Sequence, residues 1–292
     1  MTSRVLIIAC NNAYLDHAKS LMVNARRVGK WDGDIAILCA QDFDAGDLSS
    51  RGIEIVRTSE PTWSNAVKFW VFGPAFRRWE QALYLDCDVL VQRPLPPACD
   101  ALAARFPAIL MDGTQALAGG LGTTILQDWE HFGRLQGVGP DVKPEAYRRL
   151  QERFPHVGKP VFVSAAILFD PRSIPDGTAE RILDAAAEFL EINPRRYDQQ
   201  TMCLVLYDRM ASSGKDFVTW AMFDYPCNRV RSDARNWHGA EFPAVVHYWG
   251  SFAPWLEKSP DAGAYANERL GRPCRELYLE NLAAFDETFP RK

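Results

Sequence analysis

Several common functional patterns are missing from this chain of 292 residues. Its seven cysteines contain no Cys-X-X-Cys pair, so the sequence gives no zinc signal and favours reduced thiols in a cytoplasmic protein. The first apolar run, at residues 5–9, is too short for a signal peptide or a transmembrane segment, although peripheral contact with a membrane stays open. With a net charge of −4 and no run of Lys or Arg, the chain is not expected to bind nucleic acid.

Glycine-rich phosphate loops and nucleophile elbows are missing too. The glycine cluster at residues 119–122 is neither Gly-X-Gly-X-X-Gly nor a P-loop, so we interpret it as an ordinary loop. The chain has no Gly-X-Ser-X-Gly sequence and no credible Ser/His/Asp set. These absences argue against the common phosphate-loop and serine-nucleophile chemistries.

The sequence alternates between apolar, strand-like runs and segments with helical spacing. Strands are predicted at residues 5–9, 34–39 and 52–57, and a helix with one apolar face at residues 15–28. Further along, we predict strands at 108–111, 160–169 and from 244, a polar helical region at 124–155, and helices at 68–79, 179–191 and 199–211. This alternation predicts an α/β fold with a mostly parallel sheet flanked by helices.

Two aspartates interrupt an apolar stretch at residues 82–91. Since side chains alternate along a strand, Asp86 and Asp88 are expected on the same side of one buried strand. Two buried carboxylates this close are costly unless a cation lies between them, and hard divalent cations prefer oxygen ligands. We therefore predict a divalent metal that binds phosphate oxygens, in preference to the alternative of a simple turn or helix cap.

His247 follows a β-branched run and precedes an aromatic loop at residues 248–255. Taken alone, a histidine after a strand is usually structural. Together with Asp86 and Asp88 it would complete three protein ligands for Mn²⁺, with Mg²⁺ as the alternative and phosphate oxygens in the remaining positions. The aromatic residues of the loop either pack in the core or stack on a sugar.

Four segments occur in an order that one enzyme family shares. They are Tyr-Leu-Asp-Cys-Asp at residues 84–88, the strand at 162–169, Asp198 with Gln199, and His-Tyr-Trp-Gly at 247–250. In these segments, and in its opening strand and loop at 7–14, the chain resembles family 8 glycosyltransferases over about residues 4–256. This is the retaining group that includes bacterial lipopolysaccharide galactosyl- and glucosyltransferases and glycogenin.

The resemblance implies a GT-A fold, with a single Rossmann-like sheet, and transfer of a hexose from a UDP-sugar to an acceptor. It implies one domain over residues 1–292, with a nucleotide-binding half at about 1–100, a donor and acceptor half at about 101–256, and a C-terminal helical tail at 257–292. The acceptor stays open among a glycan, a lipid-linked sugar, a small molecule and a protein.

Individual site residues are implied by the same resemblance. The metal ligands would be Asp86, Asp88 and His247, while Asp198 and Gln199 would lie near the anomeric carbon. The nucleotide-sugar set would combine a uracil and ribose pocket, a basic residue for the phosphates or sugar, and polar contacts to the sugar: Ala9, Asn12, Tyr14, Lys68, Asp86, Cys87, Asp112 and Ser164.

Val163 and Ala253 depart from the family pattern, and the nucleotide loop has Cys-Asn-Asn at residues 10–12 where acidic residues are common. Val163 stands where an asparagine usually contacts the donor sugar, so Ser164 would supply part of that contact. Ala253 stands where a lysine often binds the diphosphate, so stabilisation of the leaving group would come from the metal, with Lys68 or Lys258 as further candidates. A donor other than UDP-galactose or UDP-glucose therefore stays open.

Asp198 has two compatible interpretations. Retention of configuration needs either a nucleophile beneath the sugar or attack from the face of the departing phosphate, and Asp198 could serve the first route. It could equally cap the helix predicted from Gln199 onward.

Two other functions remain as alternatives. A haloacid-dehalogenase-type phosphohydrolase also has Asp-X-Asp after a strand, with Asp86 as nucleophile and Asp88 as acid and base. That motif normally ends the first strand, however, whereas 85 residues precede Asp86 here. A non-catalytic nucleotide-sugar binder is the second alternative, suggested by Val163 and Ala253.

Overall fold

The computed structural model describes residues 3–105, 109–112, 124–195, 198–213, 217–219, 245–247 and 274–292. The strands among them are β1 Arg4–Ala9, β2 Asp34–Cys39, β3 Glu54–Arg57, β4 Gln81–Asp86, β5 Val89–Val91, β6 Ile109–Asp112, β7 Val163–Phe169, β8 Phe217–Thr219 and β9 Val245–His247. The helices are α1 Leu15–Arg27, α2 Ala66–Phe69, α3 Leu95–Arg105, α4 Ile125–Leu135, α5 Pro144–Arg153, α6 Thr178–Glu188, α7 Asp198–Ser213, α8 Cys274–Ala283 and α9 Phe285–Thr288. Within these ranges no helix has the length and apolar character needed to cross a membrane.

Seven of these strands form one sheet, in the order β3-β2-β1-β4-β7-β6-β8. β1 pairs in parallel with β2 and β4, β2 pairs in parallel with β3, and β6 with β8. β7 runs antiparallel to β4 and β6. The predicted α/β fold, with a mostly parallel sheet flanked by helices, is confirmed.

Alternate residues of the central strands face two different hydrophobic cores. In β1, Val5 and Ile7 belong to the core shared with α2, α4, α5, α6 and α7. Leu6 and Ile8 belong to the core shared with α1, α3 and α9, and all four side chains are fully buried. Burial on both faces explains why these strands are continuous apolar runs in the sequence.

The helix predicted at residues 68–79 is wrong in length. Helix α2 ends at Phe69, and two short 3-10 turns follow at Trp70–Phe72 and Pro74–Phe76. Gly73 between them has an extended backbone, with φ −75° and ψ 166°, because a residue before proline avoids the α region. The Gly-Pro pair therefore breaks a segment whose apolar residues suggested a longer helix.

The single strand expected at residues 82–91 is also wrong, since the chain forms two strands in two sheets. β4 ends at Asp86, Cys87 and Asp88 form a turn, and β5 begins at Val89. β4 stays in the main sheet, whereas β5 pairs antiparallel with β9. The turn ends the two-residue alternation, so Asp86 and Asp88 do not share the face of one strand.

The small sheet of β5 and β9 is anchored to helix α1. The backbone amide of Val91 donates to Oδ1 of buried Asn24 at 2.5 Å. In the register of the two strands, His247 lies opposite Val89, which directly follows Asp88. The fold thus brings the backbone of His247 beside the aspartate turn.

Helices α8 and α9 pack near α1. The Ser20 hydroxyl donates to the Tyr278 carbonyl at 3.2 Å, and the Arg51 guanidinium donates to the Phe289 carbonyl at 2.6 Å. Phe285 is 5% exposed and lies in the core shared with α1. This ring fixes α9 to the body of the protein.

Phe285→Ala should lower the free energy of unfolding by about 3 kcal/mol, because it removes a buried ring and leaves a cavity. A matched control is Leu279→Ala on α8, where the side chain is 48% exposed. This control should change stability by less than about 0.5 kcal/mol. Urea denaturation followed by tryptophan fluorescence measures both, and equal losses would contradict the docking of α9.

Candidate active site

Strand β4 carries two polar side chains on one face of the main sheet. Tyr84 and Asp86 lie two residues apart and so point to the same side of the strand. The Tyr84 hydroxyl, in a fully buried side chain, donates to Oδ1 of Asp86. On the neighbouring strand β1, Ala9 pairs with Asp86. The Asp86 carboxylate is therefore fixed at the carboxyl end of a core strand.

Lys68 of α2 joins Asp86 to Asp198, the first residue of α7. Its Nζ lies 2.9 Å from Oδ1 of Asp86 and 2.6 Å from Oδ2 of Asp198. The side chains of Lys68, Asp86 and Asp198 are 13%, 17% and 15% exposed. Ser164 of β7 donates to the same Asp198 oxygen at 2.7 Å. We call the five residues the lysine–carboxylate cluster: Lys68, Tyr84, Asp86, Ser164 and Asp198.

Burial and charge act against each other in this cluster. Burial alone would lower the pKa of Lys68, but the carboxylates of Asp198 and Asp86 outweigh it and raise that pKa. Burial alone would raise the pKa of Asp198, but Lys68 and the hydrogen bond from Ser164 hold it below its ordinary value. Burial, reinforced by Asp86, raises the pKa of Tyr84. At neutral pH, Lys68 is therefore charged, Asp198 is ionised and Tyr84 is a donor.

The turn after β4 carries Cys87 and Asp88. Burial, with a further contribution from Asp88, raises the pKa of the Cys87 thiol, which is therefore protonated at neutral pH. The Tyr14 ring lies 5.1 Å from the ring of His17 on α1. Burial raises the pKa of Tyr14 and lowers that of His17, while the charge of Asp88 acts to raise both values. These two rings therefore lie close to the aspartate turn.

The residues predicted to bind uracil and ribose lie at the end of β1 and in the segment after it. Ala9 is buried beside Asp86, and Tyr14 presents a ring that is 42% exposed. The side chain of Asn12 instead holds a neighbouring loop: its Oδ1 accepts from the Asp44 amide at 2.8 Å, and its Nδ2 donates to the Asp42 carbonyl at 3.2 Å. Tyr14 is thus available for stacking, while the amide of Asn12 is engaged within the protein.

Gln199 does not join the lysine–carboxylate cluster. Its Nε2 donates to Oδ2 of Asp128 on α4 at 3.1 Å, and Gln200 donates to the same oxygen at 2.6 Å. In the first turn of α7, therefore, the side chain of Asp198 points toward the sheet and that of Gln199 points toward α4.

Two predicted site residues are described by their backbone. Asp112 ends β6 and pairs with Val163, the residue before Ser164. His247 ends β9 opposite Val89. The strand register thus brings Asp112 to the edge of the sheet where β7 begins. The aromatic loop, Ala253, Lys258 and the glycine cluster at 119–122 lie outside the described residues.

Two residues of this region were missed in the sequence. Tyr84 could have been found, because it lies two positions before Asp86 on the same strand. Asp128 carried no such signal, since an acidic residue in the first turns of a helix is commonplace. The pairing of Lys68 with Asp198 joins residues 130 positions apart and had no local signature either.

The donor chemistry at the end of β4 fits a hard divalent cation. The carboxylates of Asp86 and Asp88 supply oxygens, and residue His247 ends the strand paired with β5. Among the side chains that the structure describes, no group of three His, Cys, Asp or Glu residues assembles into a metal site. The side chain of His247 is not among them.

Replacing Lys68 by methionine would leave Asp86 and Asp198 without the cation they share. We expect Lys68→Met to lower the free energy of unfolding by about 3 kcal/mol at pH 7 in buffer with EDTA. Adding Asp198→Asn should recover part of the loss, because it removes one of two repelling charges. Chemical denaturation of the single and double variants measures the coupling. Strictly additive losses would contradict the shared ion pair.

The same ion pair predicts a pH dependence. Because the pKa of Asp198 is held below its ordinary 3.8, its contribution to stability is present above that pH and is lost as the pH falls through the lowered value. Because the pKa of Lys68 is raised above 10.5, its contribution is present below that pH and is lost as the pH rises through the raised value. Thermal denaturation should therefore find the largest difference between wild type and Lys68→Met between pH 3.8 and 10.5.

Comparison with known proteins bears on the fold. No protein-family profile and no curated protein sequence matches the chain. An active-site mutant of LgtC aligns with a TM-score of 0.58 and 14% identity over 96% of this chain and 95% of LgtC. WbbM, a bifunctional glycosyltransferase, aligns with a TM-score of 0.58 and 14% identity over 100% of this chain and 52% of WbbM. The glycosyltransferase GlyE of Streptococcus pneumoniae TIGR4 aligns with a TM-score of 0.55 and 14% identity over 98% of this chain and 63% of GlyE.

The chain therefore spans about half the length of WbbM and less than two thirds of GlyE, but nearly all of LgtC. At 14% identity the likeness establishes the architecture. The chain has the fold of these glycosyltransferases, the GT-A fold that the sequence resemblance implied.

Proposed function

We propose that the chain is a metal-dependent, retaining glycosyltransferase that transfers a hexose from a UDP-sugar to an acceptor. The observation that carries the proposal is the lysine–carboxylate cluster at the carboxyl end of β4. It puts a charged Lys68 between Asp86, an aspartate of the Asp-X-Asp motif, and Asp198, a carboxylate of a second element. This arrangement lies within a fold shared with glycosyltransferases.

Asp86, Asp88 and His247 would hold Mn²⁺ or Mg²⁺. When bound, the metal would act as a Lewis acid that stabilises charge on the departing diphosphate. Asp86 and Asp88 would hold the metal beside the end of β4, and the diphosphate would be oriented through that metal. Because Asp86 already accepts from Tyr84 and Lys68, its orientation is set before any ligand arrives.

Lys68 would supply the second positive charge of the site. Ala253 stands where the resembled family often has a lysine, so a larger share of diphosphate neutralisation would fall to Lys68. Its ammonium group is held at a fixed point by two carboxylates, and a preorganised charge loses little in reorganisation when charge develops on the leaving group.

Asp198 suits electrostatic stabilisation better than nucleophilic attack. Its carboxylate is engaged by Lys68 and Ser164, and its lowered pKa makes it weakly basic. We therefore favour attack from the face of the departing phosphate. The bond between the anomeric carbon and the phosphate oxygen breaks, the acceptor oxygen bonds to that carbon, and the acceptor proton passes to the departing phosphate.

The identity of the acceptor stays open among a glycan, a lipid-linked sugar, a small molecule and a protein. A reducing, cytoplasmic setting is supported by five free thiols: Cys10, Cys39, Cys87, Cys99 and Cys203.

The first test is binding of UDP, GDP and ADP with and without Mn²⁺, measured by titration calorimetry. UDP should bind best and should require Mn²⁺, because the carboxylates alone repel a diphosphate. Asp88→Asn should weaken metal-dependent UDP binding by about ten-fold or more, since it removes one charged ligand.

Asp184→Asn is the matched control, because it removes the same charge from an exposed position on α6. It should leave UDP binding unchanged. Absence of metal-dependent nucleotide binding, together with release of phosphate from simple phosphomonoesters, would favour the phosphohydrolase alternative. Binding of UDP without turnover of any UDP-sugar would favour the non-catalytic binder.

The second test addresses the role of Asp198. Asp198→Ala should lower kcat by about 100-fold through the loss of electrostatic stabilisation, and added azide should not restore turnover. Ser164→Ala, which removes a hydrogen bond to the same carboxylate, should lower kcat by about ten-fold or less. Rescue of Asp198→Ala by azide, with a glycosyl azide of inverted configuration as product, would instead establish Asp198 as the nucleophile.

A further inference from the structure

Helix α4 presents a fully buried carboxylate to the first turn of α7. Asp128 is 0% exposed, and Gln200, which faces it, is 2% exposed. Oδ2 of Asp128 accepts from Nε2 of Gln199 at 3.1 Å and from Nε2 of Gln200 at 2.6 Å. A carboxyl group buried this deeply is costly unless it is hydrogen-bonded, and the two glutamine amides supply such bonds.

Oδ2 of Asp128 accepts from both glutamine amides, and an oxygen that accepts a hydrogen bond selects the NH₂ end of an amide over its carbonyl end. Gln199 must therefore turn its NH₂ group toward Asp128. The carbonyl oxygen lies on the other side of the same planar amide, so it faces away from Asp128. A neutral amide partner would lack this selectivity, since it donates as well as accepts.

The helix that carries Asp128 is itself firmly placed. Thr124 and Gln127 form a reciprocal capping box, with hydrogen bonds of 3.2 Å and 2.9 Å. The Tyr147 hydroxyl of α5 donates to the Trp129 carbonyl at 3.3 Å, and the Trp129 ring meets Phe189 edge-on at 6.1 Å. Asp128 thus offers its oxygen from a rigid element, as a positioning contact requires.

Asp198 directly precedes Gln199 on α7, and the side chains of these two residues have different partners. Asp198 is fixed to Lys68 and Ser164 on the sheet side, while Gln199 is fixed to Asp128 on the α4 side. The two side chains that sequence resemblance assigned to the anomeric carbon are therefore held from opposite directions. A carbonyl oxygen carries partial negative charge and suits an oxocarbenium-like centre, whereas an NH₂ group carries the wrong sign.

We propose that Asp128 is a positioning residue, which fixes the side-chain amide of Gln199 with its carbonyl oxygen turned away from α4. The structural part of this inference stands on the contacts between α4 and α7. Its consequence for turnover rests on the proposed function. Asp128 touches no reacting atom and acts through Gln199.

The first measurement needs no substrate. In protein labelled with ¹⁵N-glutamine, the side-chain amide pair of Gln199 is identified by its loss in Gln199→Ala. We expect the two amide protons to be widely separated in chemical shift in wild type, because one of them is bonded to the carboxylate. In Asp128→Leu the separation should fall to that of exposed Gln151. An unchanged separation would overturn the proposal.

The second measurement is a double-mutant cycle on turnover of the UDP-sugar. Asp128→Leu should lower kcat by about ten-fold or more, with a smaller change in KM, because the amide is misoriented. In a Gln199→Ala background the same change should have little further effect. An equal loss in both backgrounds would mean that Asp128 acts on the fold, and would overturn the positioning role.

Gln200→Met is the matched control. It removes the other amide that faces Asp128, keeps a buried side chain of similar length, and leaves the contact of Asp128 with Gln199 in place. Turnover within two-fold of wild type is expected. A loss as large as that of Asp128→Leu would attribute the effect to packing between α4 and α7 and would overturn the proposal.

Asp128→Asn covers the case in which the leucine variant fails to fold. Asparagine has nearly the same shape, but its amide can donate to the carbonyl of Gln199 or accept from its NH₂ group. The NMR signals of the Gln199 side-chain amide should therefore become heterogeneous, and kcat should fall. If Asp128→Asn keeps both the wild-type amide signals of Gln199 and the wild-type kcat, the proposal is overturned. If wild type turns over no UDP-sugar, the proposed function fails, and the amide pair still decides whether Asp128 orients Gln199.

Discussion

The ammonium group of Lys68 joins the central sheet to helix α7. Lys68 lies between Asp86, at the end of β4, and Asp198, at the start of α7, with little access to water. Without a cation at this point the two carboxylates would repel each other in a medium of low polarity, and the packing of α7 against the sheet would suffer. The fold and the candidate active site therefore depend on the same charge.

The start of α7 is where these constraints meet. Successive residues point to different supports, because Asp198 faces Lys68 and Ser164 while Gln199 and Gln200 face Asp128. A helix held on two sides in its first turn has little freedom to shift or rotate. The polar groups near the end of β4 are thus arranged before any ligand binds, which is the condition under which fixed charges stabilise a transition state most effectively.

Apolar patterns in the sequence were enough to predict most strands and helices, because β1 and β4 are continuous apolar runs of strand length and α1 has apolar residues at helical spacing. They could not predict that β4 and β5 separate at the Cys87–Asp88 turn, since both flanking segments are apolar and strand-like. The pairing of Lys68 with Asp198 spans 130 residues, and Asp128 resembles any acidic residue near a helix start. Such contacts are created by tertiary packing, which leaves no local pattern to detect.

The separation of β4 from β5 gives the two aspartates different supports. Asp86 ends a core strand that is buried on both faces and tolerates little change in sequence. Asp88 lies where the chain leaves for the small sheet, which Asn24 of α1 holds through Val91. Insertions or substitutions around the small sheet can therefore shift one carboxylate and leave the other in place. In evolutionary terms, the position of the Asp88 carboxylate can change while the core strand that ends at Asp86 is kept.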